Sequence, residues 1–332
     1  MTHLTTDERE QIMIGFAQKL SRRQIALNIN RHHTTVIREL NNNGKYPYKY
    51  SVKEAEKRAN KLKRKSKRQR KIDRYPNLKQ YILEKLELKW SPEQISNTLK
   101  IKYSDQTSMQ ISHESIYTYI YILPRGELRK ELISYLRQGV RGRQKRKRGK
   151  DSRQGKIANI ISISERPLEV ESRIVPGHWE SDLIVGKNHK SAIGTIVERT
   201  TRTTLLIHLK EKDALSVRKA FAHELKKLPK QMIKSITHDR GKEMSEHELF
   251  TKDTKIQVYF ADPYSPWQRG TNENTNGLIR QYFPKGTDFN KVSKKELKEV
   301  QNQLNERPRK ALGFITPKES FAQLLENGAF GV

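Results

Sequence analysis

The chain has 332 residues, is 34% hydrophobic and carries 13 Tyr and 9 Phe, enough to build real cores in about two or three domains. Its formal charge of +30, from 67 Lys plus Arg against 37 Asp plus Glu, calls for a polyanionic partner. Nucleic acid is expected rather than a membrane surface, because no apolar run approaches about 18 residues and no basic amphipathic anchor is present. The absence of Cys excludes disulfides and thiolate zinc sites. The opening MTHLTTDEREQ has no apolar signal region, so an intracellular protein is expected.

In chain order, residues 4–41 read as three short helices. Thr6 is placed to cap the first, which carries Ile12, Ile14, Phe16 and Ala17, and Ser21 to cap a second that buries Ile25, Ala26 and Ile29. A third runs through HTTVIREL with Val36, Ile37 and Leu40 inward. This is the layout of a helix-turn-helix, whose last helix meets base edges in the major groove. Thr34, Thr35 and Arg38 are the expected readers. The competing reading is a plain three-helix bundle with a solvated polar face. The domain is bounded at 1–45.

Residues 46–74 change character and are expected to form a basic linker. Lys61 to Lys71, KLKRKSKRQRK, has eight basic residues in eleven, among them Arg64 and Lys65. Such a run is a solvated face or a phosphate grip that adds affinity without sequence information. A second helical, helix-turn-helix-like domain is expected over 75–136. YPNLKQYILEKLEL is amphipathic, Trp90-Ser91-Pro92 opens another helix, and ISHESIYTYIYIL has apolar spacing with its tyrosines as packing residues. Residues 137–156 contain the Gly-rich basic tract RQGVRGRQKRKRGK, a phosphate-binding arm through Arg146 and Arg148 that cannot pack a core.

After Ile157 the period changes from helix to strand. GHWESDLIVG, SAIGTIVERTTR and TTLLIHLKEK are β-rich runs separated by short polar turns. The helix DALSVRKAFAHELKKLP follows, burying Leu215, Val217, Ala220, Phe221 and Leu225, then strand MIKSITHD, a short helix at SEHELF, strand KIQVYFAD and a last helix. The order βββαβαβα is the ribonuclease H-like arrangement. The fold class expected is therefore multidomain: an all-α helix-turn-helix N-terminal region plus an α/β ribonuclease H-like catalytic domain over 157–300, with a mixed five-stranded sheet flanked by helices. Residues 301–332 form a C-terminal helical segment.

In that order Asp182, on the first strand, and Asp239, after the fourth, become neighbours, and the last helix brings Glu273 to them. Three carboxylates from separate elements suit hard divalent cations, which prefer oxygen ligands. On spacing alone Glu180 and Asp262 compete as ligands, and His178 and His238 invite a hydrolase with histidine as base. Arg280, two helical turns after Glu273, is expected to hold a DNA phosphate near the acids; Asn272 and Asn276 flank the same face. Arg307, Arg309 and Lys310 are expected to meet phosphate, with a solvated helix end as the bland reading.

These motifs carry a resemblance. WSPEQIS from Trp90, PGHWESDLIVG from Pro176, SAIGTIVERTTR from Ser191, THDRGKE from Thr237, ADPYSPWQRGTNENTNGLIRQYFPKGTDF from Ala261 and LNERPRKALGFITP from Leu304 resemble transposases of insertion-sequence family 30, in the DDE transposase and integrase superfamily. Ser181 departs from the pattern, where a smaller residue is expected.

The resemblance implies Asp182, Asp239 and Glu273 as a metal-binding catalytic triad; from their positions beside these acids, His238, Asn272 and Asn276 are expected to support it. It implies two Mg²⁺ or Mn²⁺ ions, and binding to the inverted-repeat ends of a bacterial insertion sequence and to target DNA. Cleavage and strand transfer would be carried out by a dimer or larger assembly on DNA, in the cytoplasm at the nucleoid. The alternatives are a catalytically silent DNA-binding regulator and a structure-selective nuclease of the same fold.

Overall fold

The computed structural model describes residues 3–44, 46–66, 69–136 and 157–326. The basic tract with Arg146 and Arg148, and the side chains of Arg64 and Lys65, lie outside the described residues. The chain divides into two compact units, Met1–Arg74 and Tyr75–Val332. Among the described residues no helix is long and apolar enough to cross a membrane.

The first unit is built on α1 (Thr6–Ala17), α2 (Arg22–Asn28) and α3 (His33–Asn43). Thr5, not Thr6, caps α1: its hydroxyl accepts from Glu8 N while the Glu8 carboxylate accepts from Thr5 N, a reciprocal box that satisfies two orphan donors. Ser21 and Gln24 repeat the device on α2. Ile12, Ile25, Ala26, Ile29, Val36 and Leu40 form the core, whereas Ile14 is exposed. Residues expected to be linker are partly helical: α4 (Val52–Ser66) follows, and Tyr50 and Ala55 enter the same core. The charge run had hidden that apolar contribution. A single turn, α5 (Lys71–Arg74), ends the unit.

The second unit opens with α6 (Pro76–Glu87), α7 (Pro92–Lys102), α8 (His113–Ile122) and α9 (Glu127–Tyr135). These helices dock on the C-terminal part of the same unit. Lys89 Nζ donates to Gln281 O (2.7 Å), Gln94 Nε2 to Pro308 O (2.6 Å), and Arg307 Nε to Gln94 Oε1 (3.0 Å). Of the tyrosines expected to pack, Tyr119 is buried and Tyr117 half-buried, whereas Tyr121 is exposed.

After the turn α10 (Glu169–Ser172) come β1 (His178–Val185), β2 (Ala192–Glu198), β3 (Thr204–His208), α11 (Ala214–Leu225), β4 (Ser235–His238), α12 (His247–Thr254), β5 (Gln257–Phe260), α13 (Gly270–Ile279), α14 (Lys294–Asn305) and α15 (Pro317–Glu326). Residues 157–167, IANIISISERP, add no strand to the sheet beyond an isolated bridge from Ser162 to Phe260. The strands lie in the order β3-β2-β1-β4-β5, with β1 antiparallel to β2 and parallel to β4. One face packs Trp179, Ile236 and Val258 against Phe221 of α11 and Phe250 of α12. The other packs Ile184, Ile193 and Leu206 against Leu278 and Ile279 of α13 and Leu297 and Leu304 of α14. Gly194 on β2 lets α11 approach: a Cβ there would lie 2.3 Å from the Phe221 ring. Leu215, expected inward, is exposed at the first turn of α11.

Candidate active site

The parallel pair β1–β4 is short, with register His178–Ser235, Trp179–Ile236 and Glu180–Thr237. Just beyond it, Asp182 in the second half of β1 and Asp239 at the end of β4 come to the same place. Both face one cation. Arg269 Nη1 lies 3.6 Å from Asp182 Oδ1 and Nη2 3.2 Å from Asp239 Oδ2, while Nη1 also donates to Ser181 O at 3.0 Å.

Arg269 sits at the start of α13, and that helix follows β1. Asn276 Nδ2 donates to Asp182 Oδ2 (2.9 Å), and Arg280 Nη2 donates to Val185 O (2.9 Å). Residues 269, 273, 276 and 280 recur at helical spacing, so Glu273 lies on the same face between two residues that touch Asp182. Its carboxylate is exposed, open to whatever enters. The expectation for Arg280 changes: its guanidinium also reaches Phe283 O and Pro284 O, so it ties α13 to the end of β1 rather than standing open to a phosphate.

Asn272 works on the neighbouring face. Its backbone N–H donates to Glu180 Oε2 (2.9 Å) and its Nδ2 to Glu180 O (2.9 Å), while Thr195 Oγ1 donates to its Oδ1 (3.2 Å). Glu180, fully buried, faces Arg199 at 3.5 Å. It fixes the first turn of α13 to β1 and so does not compete as a ligand. Asp262, the other competitor, accepts from Gln268 Nε2 (2.9 Å) and Arg240 Nη2 (3.2 Å), holding the turn before the helix.

The electrostatics separate the two aspartates. Burial raises the Asp182 pKa, Arg269 opposes this, and the Asp239 charge adds to it. Asp239 is held well below the usual carboxylate range: burial works against this, but His238 overrides it. The fully buried His238 places Nδ1 2.9 Å from Asp239 Oδ1, and its pKa is raised despite the desolvation that would lower it. Glu243, which the sequence reading passed over, joins this pair: His238, Asp239 and Glu243 each bring a ligand atom within 4.8 Å of the others. An acid four residues after Asp239 in DRGKE was the available signal.

His178 has a different role. It is 3% exposed, its Nδ1 is 2.8 Å from Ser235 Oγ, and burial takes its pKa down to about 4. Its folded pKa thus lies below the unfolded value of about 6.5, so its neutral form stabilises the fold above that pH and the benefit is lost as pH falls from 6.5 toward 4. Between pH 7 and pH 5 the loss is about 2 kcal/mol for this group. Urea unfolding at the two pH values should show it, and His178→Gln should remove that part of the pH dependence.

The donor set fits a hard divalent cation. Two carboxylates already share one positive group, and a third acid stands open on the adjoining helix face. A family model described as integrase core domain matches residues 173–266, which include both aspartates and stop short of Glu273, and a helix-turn-helix domain model matches residues 1–43. The transposase for insertion sequence element IS1086 of Cupriavidus metallidurans is 42% identical over 98% of this chain and 95% of its own length. Transposase InsI for insertion sequence element IS30A of Escherichia coli K12 is 44% identical over 96% of this chain and 83% of its own. The chain belongs to the IS30 family of transposases. The catalytic core domain of BIV integrase matches 46% of the transposase and 97% of its own chain at 19% identity, with a TM-score of 0.36.

The transposase is a DNA-binding enzyme, and its helix-turn-helix is the unit built on α1 to α3. On α3, Thr34 and Arg38 are exposed and Thr35 is half-buried. Thr34 Oγ1 lies 2.8 Å from His32 Nδ1, which orders the start of the helix. In the helical block before the core, His113 and Glu114 are exposed at the start of α8 and pair with each other at 3.2 Å. Integrase cores are metal-dependent, in keeping with the oxygen-rich cleft.

Proposed function

We propose that the transposase cuts and joins DNA at the ends of its insertion sequence by two-metal phosphoryl transfer, with Asp182, Asp239 and Glu273 as ligands for Mg²⁺ or Mn²⁺. The observation that carries this is the convergence of Asp182 and Asp239 on one cation, with Glu273 on the helix face that touches Asp182. Two such ions, when bound, activate an oxygen nucleophile and stabilise charge on the phosphorane and leaving oxygens.

The chain's own residues do the rest. Asn276 orients Asp182, His238 holds Asp239 ionised, and the Glu180–Asn272 contacts fix to β1 the start of α13, the helix that carries Glu273. Arg269, displaced from between the acids, remains a cation at the cleft. No protein nucleophile is required. Water attacks first and the P–O3′ bond breaks to leave a 3′-hydroxyl; that hydroxyl then attacks a target phosphate and expels the target strand's own 3′ oxygen.

Within this reading, residues 1–45 read the inverted repeat, the basic stretches around Arg64, Lys65, Arg146 and Arg148 grip the backbone, residues 157–300 perform the chemistry and 301–332 support it. Two ends must be held together, so the working form is at least a dimer on DNA, in the bacterial cytoplasm at the nucleoid. The test is incubation of the full chain with Mg²⁺ and labelled duplexes from the DNA flanking its gene, mapping cut and joined strands. Products confined to sites unrelated to the repeats would favour the structure-selective nuclease instead, and binding with no products in Mg²⁺ or Mn²⁺ would leave the regulator reading in its place.

For the reader helix, Arg38→Ala should weaken binding to the cognate end by about 1–3 kcal/mol more than binding to random duplex. Competition titrations at fixed salt measure both. An equal loss on the two DNAs would make Arg38 a backbone contact.

A further inference from the structure

The face of α13 away from the acids borders a second, strongly cationic cavity. Its volume is about 570 Å³, and Thr271, Thr275 and Leu278 line it from α13, with Ser91, Gln94 and Phe314 among its other walls. Arg173, Arg202, Arg307, Arg309 and Lys310 line it against a single acid, Glu93. That acid is engaged with Lys310 at 2.6 Å.

Two further observations mark it as a site for an anion. Arg202 is fixed by donating from Nη1 to Thr271 Oγ1 (2.6 Å), while its buried Nε has no hydrogen-bond partner. A guanidinium with an unsatisfied donor is costly, and an oxyanion in the cavity that Arg202 lines would answer its charge. The cations also crowd each other: burial lowers the Arg202 pKa first, and Arg173 lowers it further. An anion would relieve both.

We propose that this cavity binds a backbone phosphate of the DNA on which the transposase acts, as a positioning site behind the catalytic helix. A helix with side chains is about 10 Å across, so a phosphate held there lies within a few nucleotides of the acids along one strand. Thr271 and Glu273 share α13, so the cavity and the acid face are set by one rigid element, and the strand seated in the cavity takes its register from the helix that carries Glu273. An Arg fork suits a phosphate better than a point charge does, because it offers two donors in one plane. The proposal rests on the DNA binding of the family and not on the metal chemistry.

The test therefore excludes metal. In EDTA, with the full chain and a fluorescent duplex from the DNA flanking the gene, binding is titrated across a range of salt for wild type, Arg173→Gln, Arg202→Gln and the double variant. Arg173 is exposed, so its replacement does not threaten the fold; thermal unfolding checks Arg202→Gln. Lys219→Gln, an exposed position on α11 outside the cavity, controls for loss of bulk charge. The expected result is a salt slope reduced by about one for each cavity arginine, affinity down about tenfold in the double variant and no change for Lys219→Gln.

A scan of single methylphosphonate substitutions should then find one phosphate whose neutralisation weakens wild type but not the double variant. Slopes equal to that of Lys219→Gln, with no phosphate position that distinguishes the proteins, would overturn the site. So would tight binding of the variants with the wild-type phosphate footprint.

Discussion

Asp239→Asn should reduce Mg²⁺-dependent nicking at an element end by on the order of 10²–10³-fold, the scale of losing one preorganised electrostatic contact in a transition state. Asn keeps the shape of Asp and can still accept from Gly241 N, which Asp239 Oδ1 now does at 3.2 Å. What it loses is the charge that a cation and His238 both answer. His238, fully buried, then loses the group that raises its pKa. Binding to the end should be nearly unchanged, because the reading surface on α3 belongs to the other compact unit. Parallel gel-shift and nicking assays on one duplex measure the two. Nicking by the variant at the wild-type rate would remove Asp239 from the chemistry, and loss of binding together with nicking would point to a folding defect.

The second large effect concerns stability. Glu180→Ala should lower the stability of the second unit by about 3–5 kcal/mol, since it leaves a buried charge unanswered. Arg199 is 4% exposed, its Nε and Nη1 have no hydrogen-bond partner, and its charge faces Glu180. The Asn272 N–H would also lose its acceptor. In a unit of this size each kcal/mol shifts the midpoint by about 2–4 °C, so thermal unfolding should begin roughly 10 °C earlier. Nicking should fall as well, because α13 would no longer be pinned to β1. Glu180→Gln should recover the hydrogen bond to Asn272 and leave the charge defect, giving an intermediate midpoint. A melt of Glu180→Ala matching wild type would show that Arg199 finds another answer.

Much of this was legible in the sequence because the informative features are local. Alternating apolar runs announced β1, β2 and β3, Ser21 and Ser91 announced helix starts, and the carboxylates of Asp182 and Asp239 followed directly from the strand order. What was not legible depended on contacts between distant segments. Whether Glu180 or Asp182 turns toward the cleft is decided by Asn272 and Arg199, residues 92 and 19 positions away. Arg280 sits at the right helical spacing for a phosphate contact, yet the carbonyls at the end of β1 claim it. Arg269 and Glu243 each lie four residues from a candidate acid, yet spacing alone does not say what they face; only the folded cleft does. In the basic stretch after α3, charge count masked Tyr50 and Ala55, two apolar side chains that place α4 in a core.

The strand order has a consequence for an unfinished chain. The reading unit is built from neighbours in sequence, complete by residue 74, and such local contacts form quickly. The proposed catalytic cleft cannot close until β4 and then α13 exist, since Glu273 follows Asp182 by more than 90 residues. On the proposed reading, a product terminated before residue 270 would keep the unit that occupies an element end and lack the third acid needed to cut it. Such a fragment would compete with the full chain for the same DNA, so premature termination within this gene would restrain the element's own movement.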